Sequence, residues 1–190
     1  MHVTSQHPVL IALGANLRSA AGPPEATLRA ALERLGARAV DVEAVSGFYD
    51  TPCFPPGAGP DYVNAAARVT FGGGPEALLA VLHEIEDVFG RKRETRWGRR
   101  TLDLDLIAMG DLVLPDAETH AAWRALPAER QREVAPERLV LPHPRLEERA
   151  FVLVPLRDVA PRWRHPVTGR SVEEMIAALP ASALEEVVLR

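Results

Sequence analysis

Two aspartates separated by one leucine, Asp103-Leu104-Asp105, follow a stretch that packs six basic residues into ten positions. These are Arg91, Lys92, Arg93, Arg96, Arg99 and Arg100, set against one acid, Glu94. On a strand, residues i and i+2 share a face with Cα atoms about 6.5–7 Å apart, so two carboxylates there can share one or two hard cations. Magnesium takes a couple of carboxylates and leaves its other positions to water and substrate phosphates. Two metals about 4 Å apart clamp both ends of an in-line phosphoryl displacement. Guanidinium forks bind phosphate in bidentate fashion, and cations beside such an acid pair neutralise the oxygens of a triphosphate. The chemistry indicated is magnesium–nucleotide phosphoryl transfer. The plainer alternatives are a solvated edge-strand face for the acids and a solvated basic loop, or single-strand nucleic-acid patch with Trp97 as stacking surface, for the cations. No G-x-x-x-x-G-K-[ST] occurs, which excludes a P-loop. The triple glycine at 72–74 has no lysine after it and reads as a turn.

Other residues offer two readings each. Tyr62 and Asn64 share a strand face, and Phe48, Trp97 and Phe151 fall near strand ends or loops. Aromatics ordinarily build core; a planar ligand held between two rings and read at its edge by an amide such as Asn64 is the sharper alternative. Glu86 falls off the apolar stripe of its helix and reads as a surface carboxylate. His143, between Pro142 and Pro144, is a turn histidine or a phosphate or base contact. Arg149 is a surface charge or a further phosphate clamp. His83 reads as structural, and Cys53 has no basic neighbour in sequence to make it a nucleophile.

These residues must be positioned by elements that the pattern reveals. Val9 to Leu13 is a short apolar run, read as a buried strand that Gly14-Ala15-Asn16 ends. Pro23-Pro24 opens a helix that Gly36 closes, with Leu28, Ala31, Leu32 and Leu35 on one face. Alternation of Val40, Val42 and Ala44 predicts a strand to Tyr49. The proline-rich run Thr51 to Pro60 is a loop. Tyr62 to Phe71 is a strand paired with the previous one. A helix opens at Pro75 and runs to Gly90, with Leu78, Leu82, Ile85 and Phe89 inward. Arg91 to Arg100 has no period and reads as a loop. Leu102, Leu104 and Leu106 alternate with Asp103 and Asp105 as a strand. Pro115 to Arg138 reads as one or two short surface helices broken near Pro127. Glu147 to Val154 is a short helix or strand, and Ser171 with Glu174 forms a capping box. The order strand, helix, strand, strand, helix, strand predicts an α+β fold: a ferredoxin-like sandwich with an antiparallel-rich sheet and helices packed on it.

Composition sets the outer bounds. The 190 residues suffice for one sizeable core, 47% of them are apolar, and the net charge of −4 gives no global field toward nucleic acid or membrane. One cysteine excludes an internal disulfide framework or a cysteine-rich metal site. No apolar run approaches the roughly 20 residues of a spanning helix. The N-terminal residues lack a signal-peptide pattern, so a cytosolic enzyme or binding domain is expected.

Five blocks occur in order: Ala12-Leu13-Gly14-Ala15-Asn16-Leu17, Phe48-Tyr49-Asp50-Thr51-Pro52, Asp61-Tyr62-Val63-Asn64-Ala65-Ala66, Arg96-Trp97-Gly98-Arg99-Arg100-Thr101-Leu102-Asp103-Leu104-Asp105-Leu106 and Leu141-Pro142-His143-Pro144-Arg145. Together they resemble the 6-hydroxymethyl-7,8-dihydropterin pyrophosphokinases of folate synthesis, from about Val9 to the C-terminal helix. The resemblance implies transfer of pyrophosphate from ATP to the pterin hydroxymethyl oxygen, with release of AMP. It implies two magnesium ions on Asp103 and Asp105, and Arg91 and Arg100 as catalytic-loop arginines. By the same resemblance Thr51, Pro52, Tyr62, Asn64, Trp97 and Phe151 would bind the pterin. Glu86, Arg91, Arg93, Trp97, Arg100, Leu106, His143 and Arg149 would bind ATP.

The chain departs from the pattern in three places. The loop between Gly90 and Trp97 is about one residue shorter. Pro144 stands where some members carry tyrosine. Residues 115–138 look like an insertion, whose alternatives are a surface excursion and, on Trp123 and Leu126, a lid flank or self-association surface. The expectation is one pyrophosphokinase domain over residues 1–190, cytoplasmic and monomeric, with no fused second pathway enzyme and no nucleic-acid or membrane partner. Its loop from Arg91 to Arg100 is expected to be mobile when empty, given Gly90, Gly98 and its high charge. Two other classes stay open: a different magnesium-dependent nucleotidyl or phosphoryl transferase on this scaffold, and a non-catalytic single-strand binder.

Overall fold

In the computed structural model of the chain, residues 8–53, 57, 59–90 and 101–190 are described. The first strand, β1 (Val9–Ala15), is buried along its whole length. Helix α1 (Pro24–Gly36) starts as its sequence dictates, with proline at the first position and Glu25 in the first turn, complementing the helix dipole. It turns Leu28, Ala31 and Leu35 inward. Strands β2 (Val40–Val45) and β3 (Tyr49–Thr51) follow, then the long β4 (Tyr62–Phe71). Helix α2 (Pro75–Val88) leads to β5 (Asp103–Met109).

The sheet runs β5-β1-β4-β3, with β2 on the same flank of β4 as β3, and every pairing is antiparallel. This is the interleaved order that two β-α-β units produce when each crossover skips one strand. The expected antiparallel sheet with packed helices is therefore present. Helices cover both faces. On one, α1 and α2 close a core of Ile11, Leu13, Val69, Leu104 and Leu106. On the other, α5 (Ala150–Val159) and α6 (Val172–Ala177) pack Leu153, Leu156 and Met175 over Leu10, Ala12, Ala66 and Ile107. Between β5 and α5 lie α3 (Ala117–Ala125), α4 (Ala128–Glu133) and a 3-10 turn, Leu146–Glu148. The chain closes with α7 (Ala181–Glu185) and β6 (Val188–Leu189), which pairs with β3.

Several boundaries differ from the sequence reading. β1 continues through Gly14 and Ala15, because both pair with β4 and Gly14 also pairs with β5. The single strand read over Val40 to Tyr49 is two strands. At the break the Ser46 N–H donates to the Ala66 carbonyl at 2.9 Å and the Ser46 hydroxyl accepts from the Ala66 N–H at 2.8 Å. The Gly47 N–H and the Tyr49 hydroxyl both donate to Asp158 on α5. The stretch after Glu147 is helical and runs on to Val159, despite Pro155 inside it. The two helices of residues 115–138, divided at Pro127, and the Ser171–Glu174 capping box form as read. The loop from Arg91 to Arg100, whose mobility was expected, lies outside the described residues.

Candidate active site

The period of β5 divides its side chains. Leu104 and Leu106 point into the core beneath α1 and α2, so Asp103 and Asp105 must point to the opposite face and are only half-buried. In the register of the sheet Asp103 stands beside Gly14, and Gly14 beside Asn64. A polar row thus crosses three strands at the end of the face that α5 and α6 leave uncovered. Gly14 is what lets the row close up: a Cβ there would come within 3.1 Å of Asn64 Oδ1 and 4.0 Å of the Tyr62 ring. Next along the row the Asn64 amide donates to the Thr51 hydroxyl at 2.7 Å, a cross-strand contact between β4 and β3. Both side chains are buried, which fixes the amide as a directed group. Pro52 is exposed beside Thr51, and Tyr62 is half-buried.

The open side of the acid pair is flanked by the segment before α5. Arg149, the residue preceding that helix, places Nη1 3.4 Å from Asp105 Oδ2, and its guanidinium lies 5.8 Å from the centroid of the Phe151 ring. Phe151 is 41% exposed although Val152 to Leu156, which follow it in the helix, are all buried, so an aromatic surface lies open near the acids. The His143 N–H donates to the Ile107 carbonyl at 2.8 Å, tying the Pro142–Pro144 turn to β5. Desolvation, then the guanidinium groups of Arg149 and Arg145, hold the His143 imidazole well below its ordinary pKa, outweighing the Asp103 carboxylate. A neutral ring follows, able to accept as well as donate. Its Nδ1 accepts from the Arg145 N–H at 3.1 Å.

Glu86 corrects the sequence reading. It was expected on the surface, yet it is 0% exposed, and its Oε1 accepts the Leu104 N–H at 2.7 Å. Four residues after Leu82, it sits at the edge of the α2 stripe, where β5 packs against the helix. It pins the backbone of β5 between the two aspartates. The Leu106 side chain lies in the core, so a ligand at this position can meet only its main chain. Arg91, Arg93, Trp97 and Arg100 lie outside the described residues. Among the described residues no group of three or more His, Cys, Asp or Glu side chains is arranged to hold a metal. The acid pair supplies two carboxylates only, which suits a cation that completes its shell with water and phosphate oxygens.

Residues 10–161 match the family model of 7,8-dihydro-6-hydroxymethylpterin-pyrophosphokinase. The chain belongs to this family. It is 37% identical over 180 residues to the 2-amino-4-hydroxy-6-hydroxymethyldihydropteridine pyrophosphokinase of Pseudomonas aeruginosa, covering 93% of this chain and 94% of that one. To the Synechocystis protein of the same name it is 35% identical over 179 residues, 94% of this chain and 79% of the relative. Among solved structures it resembles the wild-type HPPK-DHPS of Plasmodium falciparum with SDX-DHP, with a TM-score of 0.59 and 14% identity over 90% of this chain. A second HPPK-DHPS structure, in complex with substrates, gives a TM-score of 0.64 at 12% identity over 92% of this chain. The pyrophosphokinase chain spans only 43% of each of those two chains, and at such identity the likeness concerns the fold.

Proposed function

We propose that the chain transfers pyrophosphate from ATP to the hydroxymethyl oxygen of 6-hydroxymethyl-7,8-dihydropterin, in folate synthesis. The observation that carries the reading is the shared face of Asp103, Asp105 and the Thr51-bound Asn64 amide, with Arg149 beside the acids. In the reaction the pterin hydroxyl oxygen bonds to the β-phosphorus of ATP, the bond from that phosphorus to the α,β-bridging oxygen breaks, AMP leaves, and the hydroxyl proton passes to solvent.

Asp103 and Asp105 would hold magnesium, two ions in the family pattern. The metal would supply charge neutralisation across the phosphate oxygens. The chain's own groups do the rest. Glu86 keeps the acid strand in register through Leu104. The Asn64 amide and Thr51 hydroxyl read the pterin edge, Pro52 borders it, and Tyr62 and Phe151 sandwich its rings. Arg149 moves its charge onto a phosphate, His143 meets the nucleotide as a neutral ring, and the Leu106 main chain contacts the nucleotide. Arg91, Arg93 and Arg100 are assigned to the phosphates and Trp97 to closure over both substrates, on the family pattern of the loop. The chain is read as one pyrophosphokinase domain with an addition at about 115–138, acting as a cytoplasmic monomer without nucleic-acid or membrane partners. Among the described residues no helix is long and apolar enough to cross a membrane.

The test is turnover of ATP with 6-hydroxymethyl-7,8-dihydropterin, with and without magnesium. The expected result is AMP formed only when pterin and magnesium are both present. Formation of ADP, or of free diphosphate, would point to a different transferase and sink the proposal.

A further inference from the structure

Helix α3 has the composition of a surface helix, Ala-Glu-Thr-His-Ala-Ala-Trp-Arg-Ala, and its Asp116 cap accepts the Thr119 N–H and hydroxyl, both at 2.8 Å. Yet one polar residue in its middle, His120, is 0% exposed. Its Nε2 lies 2.9 Å from the carbonyl oxygen of Pro142. A carbonyl can only accept, so Nε2 carries the proton and donates. Nδ1 is then the bare nitrogen of a neutral ring, and among the described residues it is buried without a hydrogen-bond partner. One turn later on the same face, Arg124 pairs with the Glu147 carboxylate. Glu147 is held on a further side by Arg170 at 3.8 Å and by the Thr168 hydroxyl at 3.5 Å.

These two contacts grip both ends of the segment that presents His143 and leads into Arg149. The segment has little regular structure and two prolines. In front it is anchored by the His143 N–H on Ile107 and by Arg149 on Asp105. Behind, the His165 ring lies 5.7 Å from that of His120, and Trp163 lies 5.9 Å from His165, so α3 is seated against packed rings. Without α3, the Pro142 carbonyl would lose its donor and the Glu147 carboxylate one of its cations.

We propose that His120, seconded by Arg124, is a positioning residue that acts through the Pro142–Glu147 segment to set nucleotide affinity. This rests on the pyrophosphokinase reading above. It gives residues 115–138 a function: a brace behind the nucleotide side of the site, away from the pterin-edge groups on β3 and β4, with Phe151 lying beyond the braced segment in the first turn of α5.

The experiment uses the full chain and three variants: His120→Leu, which keeps the bulk and removes the donor; His120→Gln, whose amide N–H2 can restore it; and Arg124→Met, which releases only Glu147. Steady-state KM for ATP and for the pterin, kcat, and the Kd of a non-hydrolysable ATP analogue are measured well below each thermal midpoint. His120→Leu should weaken ATP and analogue about tenfold, as loss of a buried donor to a carbonyl implies, with the pterin KM changed less than about twofold. His120→Gln should recover most of that loss, and Arg124→Met should show the same split at about threefold. Equal changes in both KM values, or a lowered midpoint with unchanged ATP affinity, would overturn the proposal. Should His120→Leu fail to fold, Arg124→Met decides the matter by the same split. Analogue binding without pterin turnover in the unmutated chain would defeat the pyrophosphokinase reading alone, since the brace is still read in Kd; no nucleotide binding at all defeats both.

Discussion

Along β5, neighbouring residues lead opposite lives. Leu104 and Leu106 enter the core that α1 and α2 seal along the length of the sheet. Asp103 and Asp105, one residue away in each case, face the side that α5 and α6 seal only at the end of Leu10, Ala12 and Ala66. Both faces are made by the same strands, so their difference comes from the second layer. Full cover gives a continuous apolar contact, which stabilises. Half cover leaves a ledge where polar groups are held by neighbours while keeping one side open, and that ledge is where chemistry is possible. Stability and function are thereby assigned to opposite faces of one sheet, separable by mutating adjacent residues.

The largest effect expected follows directly. Asp103→Ala and Asp105→Ala should each lower kcat by on the order of a thousandfold, as loss of a metal-holding carboxylate implies, and shift stability by less than about 1 kcal/mol. Leu104→Ala, lying between them, should show the reverse priority: a loss of about 2–5 kcal/mol in urea unfolding, from the cavity it leaves. Near-normal kcat in magnesium for either aspartate variant would break the division of the faces and remove the metal assignment.

Glu86 sharpens the comparison, because it reaches from the sealed face to the strand that carries the ledge. Glu86→Ala leaves the Leu104 N–H buried without its acceptor, a loss of about 1–3 kcal/mol, and should reduce kcat about tenfold by loosening the spacing of the acids. Glu86→Gln keeps an acceptor oxygen and should retain most activity. If the two variants behave alike in both unfolding and kinetics, the hydrogen bond is not what Glu86 contributes.

The core of this arrangement was legible in the sequence because it obeys local periods. Leu28, Ala31 and Leu35 at helical spacing, and Leu102, Leu104 and Leu106 at strand spacing, each had one face to give. The acids were legible for the same reason. What escaped were side chains whose fate is set by a partner distant in sequence. Glu86 read as exposed because a helix stripe has no sign for a strand packed on its edge. The break at Ser46 depends on Ala66 and Asp158, which no local pattern near Val45 discloses. His120 was absent from the expected site residues. The only signal for it was a lone imidazole in an alanine-rich helix, and its partner, the Pro142 carbonyl, is a backbone group that leaves no mark on side-chain identity.

The smallest effect expected concerns the region farthest from the acids in character, where polar rings are buried whole. Desolvation lowers the pKa of His165 to about 4, the Glu147 carboxylate opposing it and Arg124 and His120 adding to it. His120 is lowered by the same cause. A group whose folded pKa lies below its unfolded value of about 6.5 binds more protons when unfolded, so stability is full above that value and falls as pH drops toward 4. For His165 alone the loss is about 2 kcal/mol between pH 7 and pH 5. Asp116 and Glu174, whose pKa values hydrogen bonds from Thr119 and Ser171 lower, lose their contribution only as pH falls through the ordinary carboxylate range, beneath the interval from pH 7 to pH 5. Urea unfolding at pH 7, 6 and 5 should therefore show a steep decline in the unmutated chain. His165→Asn keeps an acceptor for the Val167 and Thr168 N–H groups but cannot take up the proton, and should flatten the decline by most of that amount. An unchanged slope in that variant would mean the buried rings are not what acid attacks first, and would move the origin of acid sensitivity back to the ledge of the sheet.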